Sequence, residues 1–215
     1  MIQRGAPWGE PATGPADVVV GGADAELAAV VGRLPGARVA LDAASGSDIG
    51  RAVGHSGSAG PGTELALDVI VIDDDLIAVN VVVLGVPPDR LRRRHRRAPV
   101  LVRVDGRTRF EGRATSVVIA SGQFLRGCDL VPGGHPGDGR IEVQVYALAP
   151  GQRGLMRRRL ATGTHVPHPA IAEAAGRRVE VSVPNGWPLE VDGEPRSAHG
   201  GVTATVRSHA WRLLV

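Results

Sequence analysis

A chain of 215 residues with 43% hydrophobic side chains and a net charge of +3 is long enough to bury one sizeable core or two small ones, which excludes a natively disordered polymer. Its one cysteine, Cys128, excludes an internal disulfide, and its most apolar stretch, residues 76–86, is broken by Asn80 and Gly85 and falls far short of the roughly 20 residues of a membrane-spanning helix. The first residues lack the basic and apolar regions of a secretory signal, so a reducing cytoplasm is the expected compartment.

Thirty Gly, sixteen Pro and few aromatics suit short strands joined by many turns. Residues 1–16, rich in Gly and Pro, read as a disordered lead-in. Val18, Val19 and Val20 form a short buried strand that ends in Gly21 and Gly22, and Leu27, Val30, Val31 and Leu34 then recur at helical spacing. Residues 38–41 give a second strand, and residues 48–53 a brief helix with Asp48 suited to its first turn. Two such units predict a small, shortened α/β domain over residues 17–57, with parallel strands.

Residues 54–62 read as a Gly/Ser linker. Beyond them residues 65–72, 77–84, 100–104, 108–111, 116–120, 141–147, 179–183, 189–191 and 202–206 are strand-like. Asp73-Asp74-Asp75, Asp105-Gly106 and Asp192-Gly193 are tight connections, and Asp-Gly pairs favour hairpins. Residues 151–160 suit a short helix. An antiparallel β-sandwich is expected over residues 63–215, with its last strand returning to the first domain.

All basic side chains are arginine and they cluster: Arg90, Arg92, Arg93, Arg94, Arg96 and Arg97 surround His95, and Arg157, Arg158 and Arg159 follow. Such clusters are either solvated faces or attract anionic surfaces at about 1 kcal/mol per residue near lipid. No aromatics are interleaved to stack on bases, so nucleic acid is disfavoured and peripheral contact with an anionic membrane through Arg92, Arg93, Arg94, Arg96 and Arg97 stays open. A homodimer is compatible with the sequence. His165 and His168 do not form a metal pair, because Pro167 and Pro169 prevent a regular helix. No Gly-x-Ser-x-Gly elbow is present, which argues against a hydrolase triad.

Four motifs carry chemistry. A strand running into Gly21-Gly22 and then a helix points free N–H groups at one spot, a geometry that serves either a phosphate or merely a tight turn. Val20-Gly21-Gly22-Ala23-Asp24-Ala25-Glu26 resembles the Gly-Gly-Asp-Gly-Thr segment of the diacylglycerol kinase and NAD kinase superfamily, displaced by one alanine. Ala44-Ser45-Gly46-Ser47-Asp48-Ile49-Gly50-Arg51 resembles that family's second loop, Gly-Thr-Gly-Asn-Asp-Phe-Ala-Arg. Pro132-Gly133-Gly134-His135-Pro136-Gly137-Asp138-Gly139-Arg140-Ile141-Glu142 resembles the acidic turn of bacterial lipid kinases of the diacylglycerol and sphingosine kinase type. Trp187-Pro188-Leu189-Glu190-Val191-Asp192-Gly193-Glu194-Pro195 resembles its closing segment. Without the family, each of these is a glycine turn, a helix N-terminus or an Asp-Gly hairpin.

The resemblance covers residues 17–215 and implies an ATP- and Mg²⁺-dependent kinase that phosphorylates a lipid hydroxyl, with diacylglycerol as the type of substrate. It implies Asp24 or Asp138 as the catalytic carboxylate and Gly21, Gly22, Ser45, Gly46, Ser47, Asp192 and Glu194 at the nucleotide. It also implies Asp138 and Glu142 at the metal. The family's Asn-Pro-x-Ser-Gly loop has no counterpart before Asp17, and Ala25, Glu26 and Ala44 depart from its pattern. The competing expectation is therefore a noncatalytic relative that binds lipid or nucleotide, or partners an intact kinase.

Overall fold

The computed structural model describes residues 9–42, 45–54 and 62–215. The start of the expected lead-in, most of the Gly/Ser linker, and Ala44 of the second loop lie outside the described residues.

In chain order the elements are β1 (Glu10–Pro11), β2 (Val18–Val20), α1 (Asp24–Arg33), β3 (Arg38–Leu41), α2 (Asp48–Ala52), β4 (Thr63–Ile72), β5 (Leu76–Ala78), β6 (Val81–Gly85) and β7 (Ala98–Val104). They continue with β8 (Arg107–Ala114), β9 (Ser116–Ala120), β10 (Phe124–Leu125), β11 (Cys128–Asp129), β12 (Ile141–Tyr146), α3 (Arg153–Arg159), β13 (Ile171–Gly176), β14 (Arg178–Val191) and β15 (Glu194–Leu214).

Thirteen strands share one curled sheet whose main path runs β1-β4-β15-β14-β6-β9-β12-β13, with β7 and β8 branching from β14. The pairings along this path are antiparallel. Curling brings the inward side chains of its two halves together, and alternate apolar residues such as Ile70, Val82, Val102, Ile119, Val143, Val181 and Val191 fill the interior. β-Branched side chains suit this role, since they pack well on a pleated, half-buried surface.

The first helices cover the other side of one end. Leu27, Ala28 and Val31 of α1 and Ile49 of α2 pack with Val39, Leu67, Trp211 and Leu213. Here the strands are parallel: β2 runs alongside β3, and β3 alongside the last turn of β15 through Arg38↔Arg212 and Ala40↔Leu214. Glu64 of β4 ties this junction by accepting from Arg38 at 2.7 Å and Arg212 at 3.0 Å. A third apolar cluster, with Val83, Leu91, Val118, Tyr146 and Leu160, lies beneath α3.

Two differences from the expected strands have clear causes. The stretch expected as a single strand over residues 77–84 is two, β5 and β6, because the N–H groups of Val79, Asn80 and Val81 turn away to donate to the Asp192 carboxylate. β14 and β15 run through Gly/Pro segments read as breaks, and they absorb them as register shifts at Ser182/Trp187, Trp187/Leu189 and Arg207/Trp211. Bulges of this kind let a long strand bend without ending.

Candidate functional site

Three hairpins end in two-residue turns with both residues at positive φ, the geometry that matches strand twist. They are Asp105-Gly106, Arg126-Gly127 and Asp192-Gly193. The last is the keystone of the site. Its Asp192 carboxylate is 6% exposed and receives the N–H groups of Val79 at 2.8 Å, Asn80 at 3.0 Å and Val81 at 2.8 Å.

Asp24, the first residue of α1, is 4% exposed. Its Oδ1 accepts from the Ser47 hydroxyl at 2.6 Å and from the Ile49 N–H at 3.3 Å, and its Oδ2 accepts from the Asn80 side-chain amide at 2.6 Å. Asn80, wholly buried, thus joins the two carboxylates, its backbone on one and its side chain on the other. Burial raises the Asp24 pKa, against the pull of the Ser47, Ile49 and Asn80 hydrogen bonds, and the nearby Asp48 charge adds to the rise. Burial likewise raises Asp192, to about 7, helped by the Asp24 charge and opposed by its three backbone donors.

The glycine loops brace this pair. Ser45 donates its hydroxyl to the Gly22 carbonyl at 2.9 Å and accepts from the Ser47 N–H at 3.2 Å. Ser47 caps α2 by accepting from the Gly50 N–H at 3.0 Å, the usual service of a Ser N-cap. Asp48 reaches across to accept from the N–H groups of Arg126 and of Gly127, which fixes the Arg126-Gly127 hairpin against α2.

A cleft of about 380 Å³ opens over these groups. Asp24, Gly46, Asp48, Asp192 and Glu194 line it, with Arg51 and Arg126 as the basic contribution. Of the residues expected at a nucleotide, Gly46, Asp192 and Glu194 line this space, whereas Gly21, Gly22, Ser45 and Ser47 do not, the two serines and Gly22 being linked in the loops that brace Asp24. Space is open around Gly46, where an added Cβ meets nothing within 4 Å. Arg126 grips Asp89 with two bonds, at 3.0 and 2.8 Å, and also pairs with Glu190. These partners hold its guanidinium charged against the effect of burial and push its pKa up.

The acidic turn lies elsewhere. Asp138 is exposed and accepts from the Arg140 N–H at 3.0 Å. Glu142, on β12, has Oε2 buried without a hydrogen-bond partner, and burial together with the Asp138 charge lifts its pKa to about 7. Neither lines the cleft. Among the described residues no three His, Cys, Asp or Glu side chains gather as a metal-ligand set.

Sequence reasoning missed three groups. Asn80 carried a signal, a lone polar side chain inside the most apolar run. Asp68 did not: it is fully buried in β4 and accepts from the N–H groups of Gly139 at 2.7 Å and His209 at 2.9 Å, tethering the acidic turn to β15. Arg126 sits among glycine-rich turn residues that suggested no side-chain role.

With the geometry in view, comparisons place the chain. Solved structures match across most of it. A provisionally assigned diacylglycerol kinase from Bacillus anthracis str. Sterne gives a TM-score of 0.75 at 14% identity, over 92% of this chain and 78% of that one. An NAD kinase from Archaeoglobus fulgidus, solved in complex with ATP, gives 0.56 at 14% identity, over 93% and 78%. Yeast NADH kinase, complexed with NADH, gives 0.54 at 15% identity, over 93% and 62%. At these identities the likeness is one of fold. No curated protein sequence matches the chain. The family model for the YegS C-terminal NAD kinase beta sandwich-like domain matches residues 90–215, more than half of the chain, and the protein therefore belongs to that family, within the NAD kinase and diacylglycerol kinase group.

Proposed function

We propose that this chain is a kinase that uses ATP to phosphorylate a lipid hydroxyl in the cleft between α1, α2 and the Asp192 turn. The observation that carries the reading is the Asp24–Asn80–Asp192 network at the cleft floor. β2, α1, β3 and α2 are read as a small Rossmann-like nucleotide domain, and residues 63–215 as the lipid-kinase sandwich.

Asp24 is the acceptor for the hydroxyl proton. Burial raises its pKa toward working pH, where a carboxylate is most effective as a general base. Its Oδ1 already accepts from Ser47 and Ile49, whereas Oδ2 accepts only from Asn80 and retains accepting capacity for that proton. Asp192, held by three N–H groups, keeps Asn80 aimed at Asp24. Gly46 leaves room for the bulk of a nucleotide, and Arg126 and Arg51 supply positive charge beside it.

For Mg²⁺, Asp138 and Glu142 are the residues that fit. Among the described residues Glu142 Oε2 is buried without a hydrogen-bond partner, and burial, with the Asp138 charge adding to it, raises the Glu142 pKa; a cation would stabilise the charged form, and Mg²⁺ needs only one or two carboxylates because it keeps its waters. A cation held there would offset the charge of the acidic turn, outside the Asp24 cleft.

A second reading rests on the cleft's own charge. Asp24, Asp48, Asp192 and Glu194 outnumber Arg51 and Arg126, and carboxylates repel a polyphosphate at short range. That balance favours a noncatalytic relative.

Thermal unfolding with ATP and Mg²⁺ separates the readings. The kinase reading expects a stabilising shift, equivalent to about 2.7 kcal/mol at a hundredfold excess over Kd. Gly46→Leu, whose side chain enters open space, abolishes that shift while unfolding like wild type. A wild-type chain that ignores ATP sinks the kinase reading and leaves the noncatalytic one.

A further inference from the structure

Beside the cleft, on the far side of Glu190, lies a second hollow of about 590 Å³ that the reading above does not use. It is lined by Arg90, Arg92, Arg94 and His95 together with apolar residues that include Val86 and Leu189. Glu190 also faces it, but that carboxylate is taken by Arg126 and, at 3.4 Å, by Arg90. Among the described residues neither the Arg92 nor the Arg94 side chain has an acidic partner.

The loop that bears these arginines is shaped from beneath by another one. Arg153, at the start of α3, is 1% exposed and has no carboxylate partner among the described residues. It donates instead to the carbonyls of Arg92 at 3.0 Å, Arg93 at 3.2 Å and His95 at 2.6 Å, and to that of Leu148. Burying a guanidinium costs several kcal/mol unless it is fully hydrogen-bonded, and here backbone oxygens do this. Turning those carbonyls inward leaves the arginine side chains outward. His95 Nδ1 accepts from the Arg92 N–H at 3.0 Å, so the neutral ring presents its Nε2–H as a donor. Burial and then the charges of Arg94, Arg153 and Arg92 lower the His95 pKa, a mark of the positive potential at this spot.

α3 adds an apolar element. Leu155 is 45% exposed, and Arg158 and Arg159 follow it at spacings that share its helix face. An exposed leucine flanked by arginines suits the headgroup layer of an anionic bilayer. A hollow lined by both arginines and apolar residues such as Val86 and Leu189 suits an amphiphile more than a free anion.

We infer that the hollow lined by Arg90, Arg92, Arg94 and His95 is a binding site for the phosphate headgroup of an anionic phospholipid in a membrane, next to but separate from the Asp24 cleft. Arginines bind phosphate through paired N–H donors, and Arg92 and Arg94, without acidic partners among the described residues, line this hollow with the His95 ring. The inference does not depend on nucleotide chemistry, so it stands or falls apart from the kinase reading.

Sedimentation of the full chain with vesicles tests it, without ATP. The vesicles are phosphatidylcholine alone, with phosphatidic acid, or with phosphatidylglycerol. Expected is binding to the anionic vesicles and not to phosphatidylcholine, weakened roughly thirtyfold by Arg92→Gln with Arg94→Gln, from about 1 kcal/mol per arginine near such a surface. Arg107→Gln with Arg109→Gln removes the same charge at the distant β7–β8 tip and is expected to leave binding intact. Equal loss in both double variants overturns the site in favour of diffuse charge. Glycerol phosphate or inorganic phosphate binding without vesicle binding overturns the lipid source, and tighter binding of a single-stranded oligonucleotide overturns the partner. Arg153→Met, which removes the loop's support, is expected to weaken vesicle binding as well; if it folds and binds as wild type, the preformed loop is refuted.

Discussion

Asn80 and Asp24, 56 residues apart in sequence, are joined by a 2.6 Å hydrogen bond from the buried amide to a buried carboxylate. The same Asn80 gives its backbone N–H to Asp192, so one residue joins the two buried acids, by its side chain to one and by its backbone to the other. Replacing it with Leu keeps its size and deletes the donor. Asn80→Leu is expected to lower stability by about 1–3 kcal/mol, the usual cost of orphaning a buried acceptor, as read by urea unfolding at neutral pH.

The pH dependence of stability follows from the raised acids. Asp192 titrates at about 7 in the fold against an ordinary 3.8, and Glu142 at about 7 against 4.5. Across those windows the folded chain keeps protons that the unfolded chain has lost, so stability falls as pH rises toward about 7. His165 opposes this, since burial lowers it to about 4 from 6.5 and its contribution grows with pH up to 6.5. His95, also lowered from 6.5, opposes the acids in the same way, and the opposition of both histidines fades as pH rises from 6.5 to about 7, where the acids come to dominate. Urea midpoints are expected to fall over that interval, and the slope is expected to flatten in Asp192→Asn even though that variant is less stable throughout.

Arg126 links the Asp48 wall of the cleft to Asp89 and Glu190. Arg126→Met leaves two half-buried carboxylates facing one another and is expected to destabilise the fold by about 1–3 kcal/mol. Lysine restores charge but not the forked contact with Asp89, so Arg126→Lys is expected to recover less than half of the loss in the same unfolding experiment.

Asp68 holds the acidic turn by two backbone N–H groups. In Asp68→Asn an amide NH₂ must face one of them, and a loss of about 2–4 kcal/mol is expected. Hydrogen exchange locates it: the Gly139 and His209 amides are expected to exchange faster than those of β9 and β12.

Much of this fold was legible because local and tertiary preferences agree. The triple-valine strand, the Leu27–Val31 helix face and the two Asp-Gly hairpins appear where periodicity and turn chemistry place them. β13 was not legible: Ile-Ala-Glu-Ala-Ala-Gly is poor in strand formers, and it pairs because β12 offers it an edge. Site residues at turns could be named, since Asp and Gly there need special geometry. Asp68 and Arg153 could not, because their burial depends on backbone groups far away in sequence. That Asp138 and Glu142 lie outside the Asp24 cleft is likewise a matter of how β12 is placed, which spacing does not encode.

Transfer of the γ-phosphate from ATP to a diacylglycerol or sphingoid lipid, measured with Mg²⁺ for wild type, Asp24→Asn and Asp138→Asn, tests the central claim most directly. The account predicts transfer by wild type and a loss of at least about a hundredfold in Asp24→Asn, the scale of a general base. Absence of transfer by a folded wild-type chain, or transfer undiminished in Asp24→Asn, would contradict it.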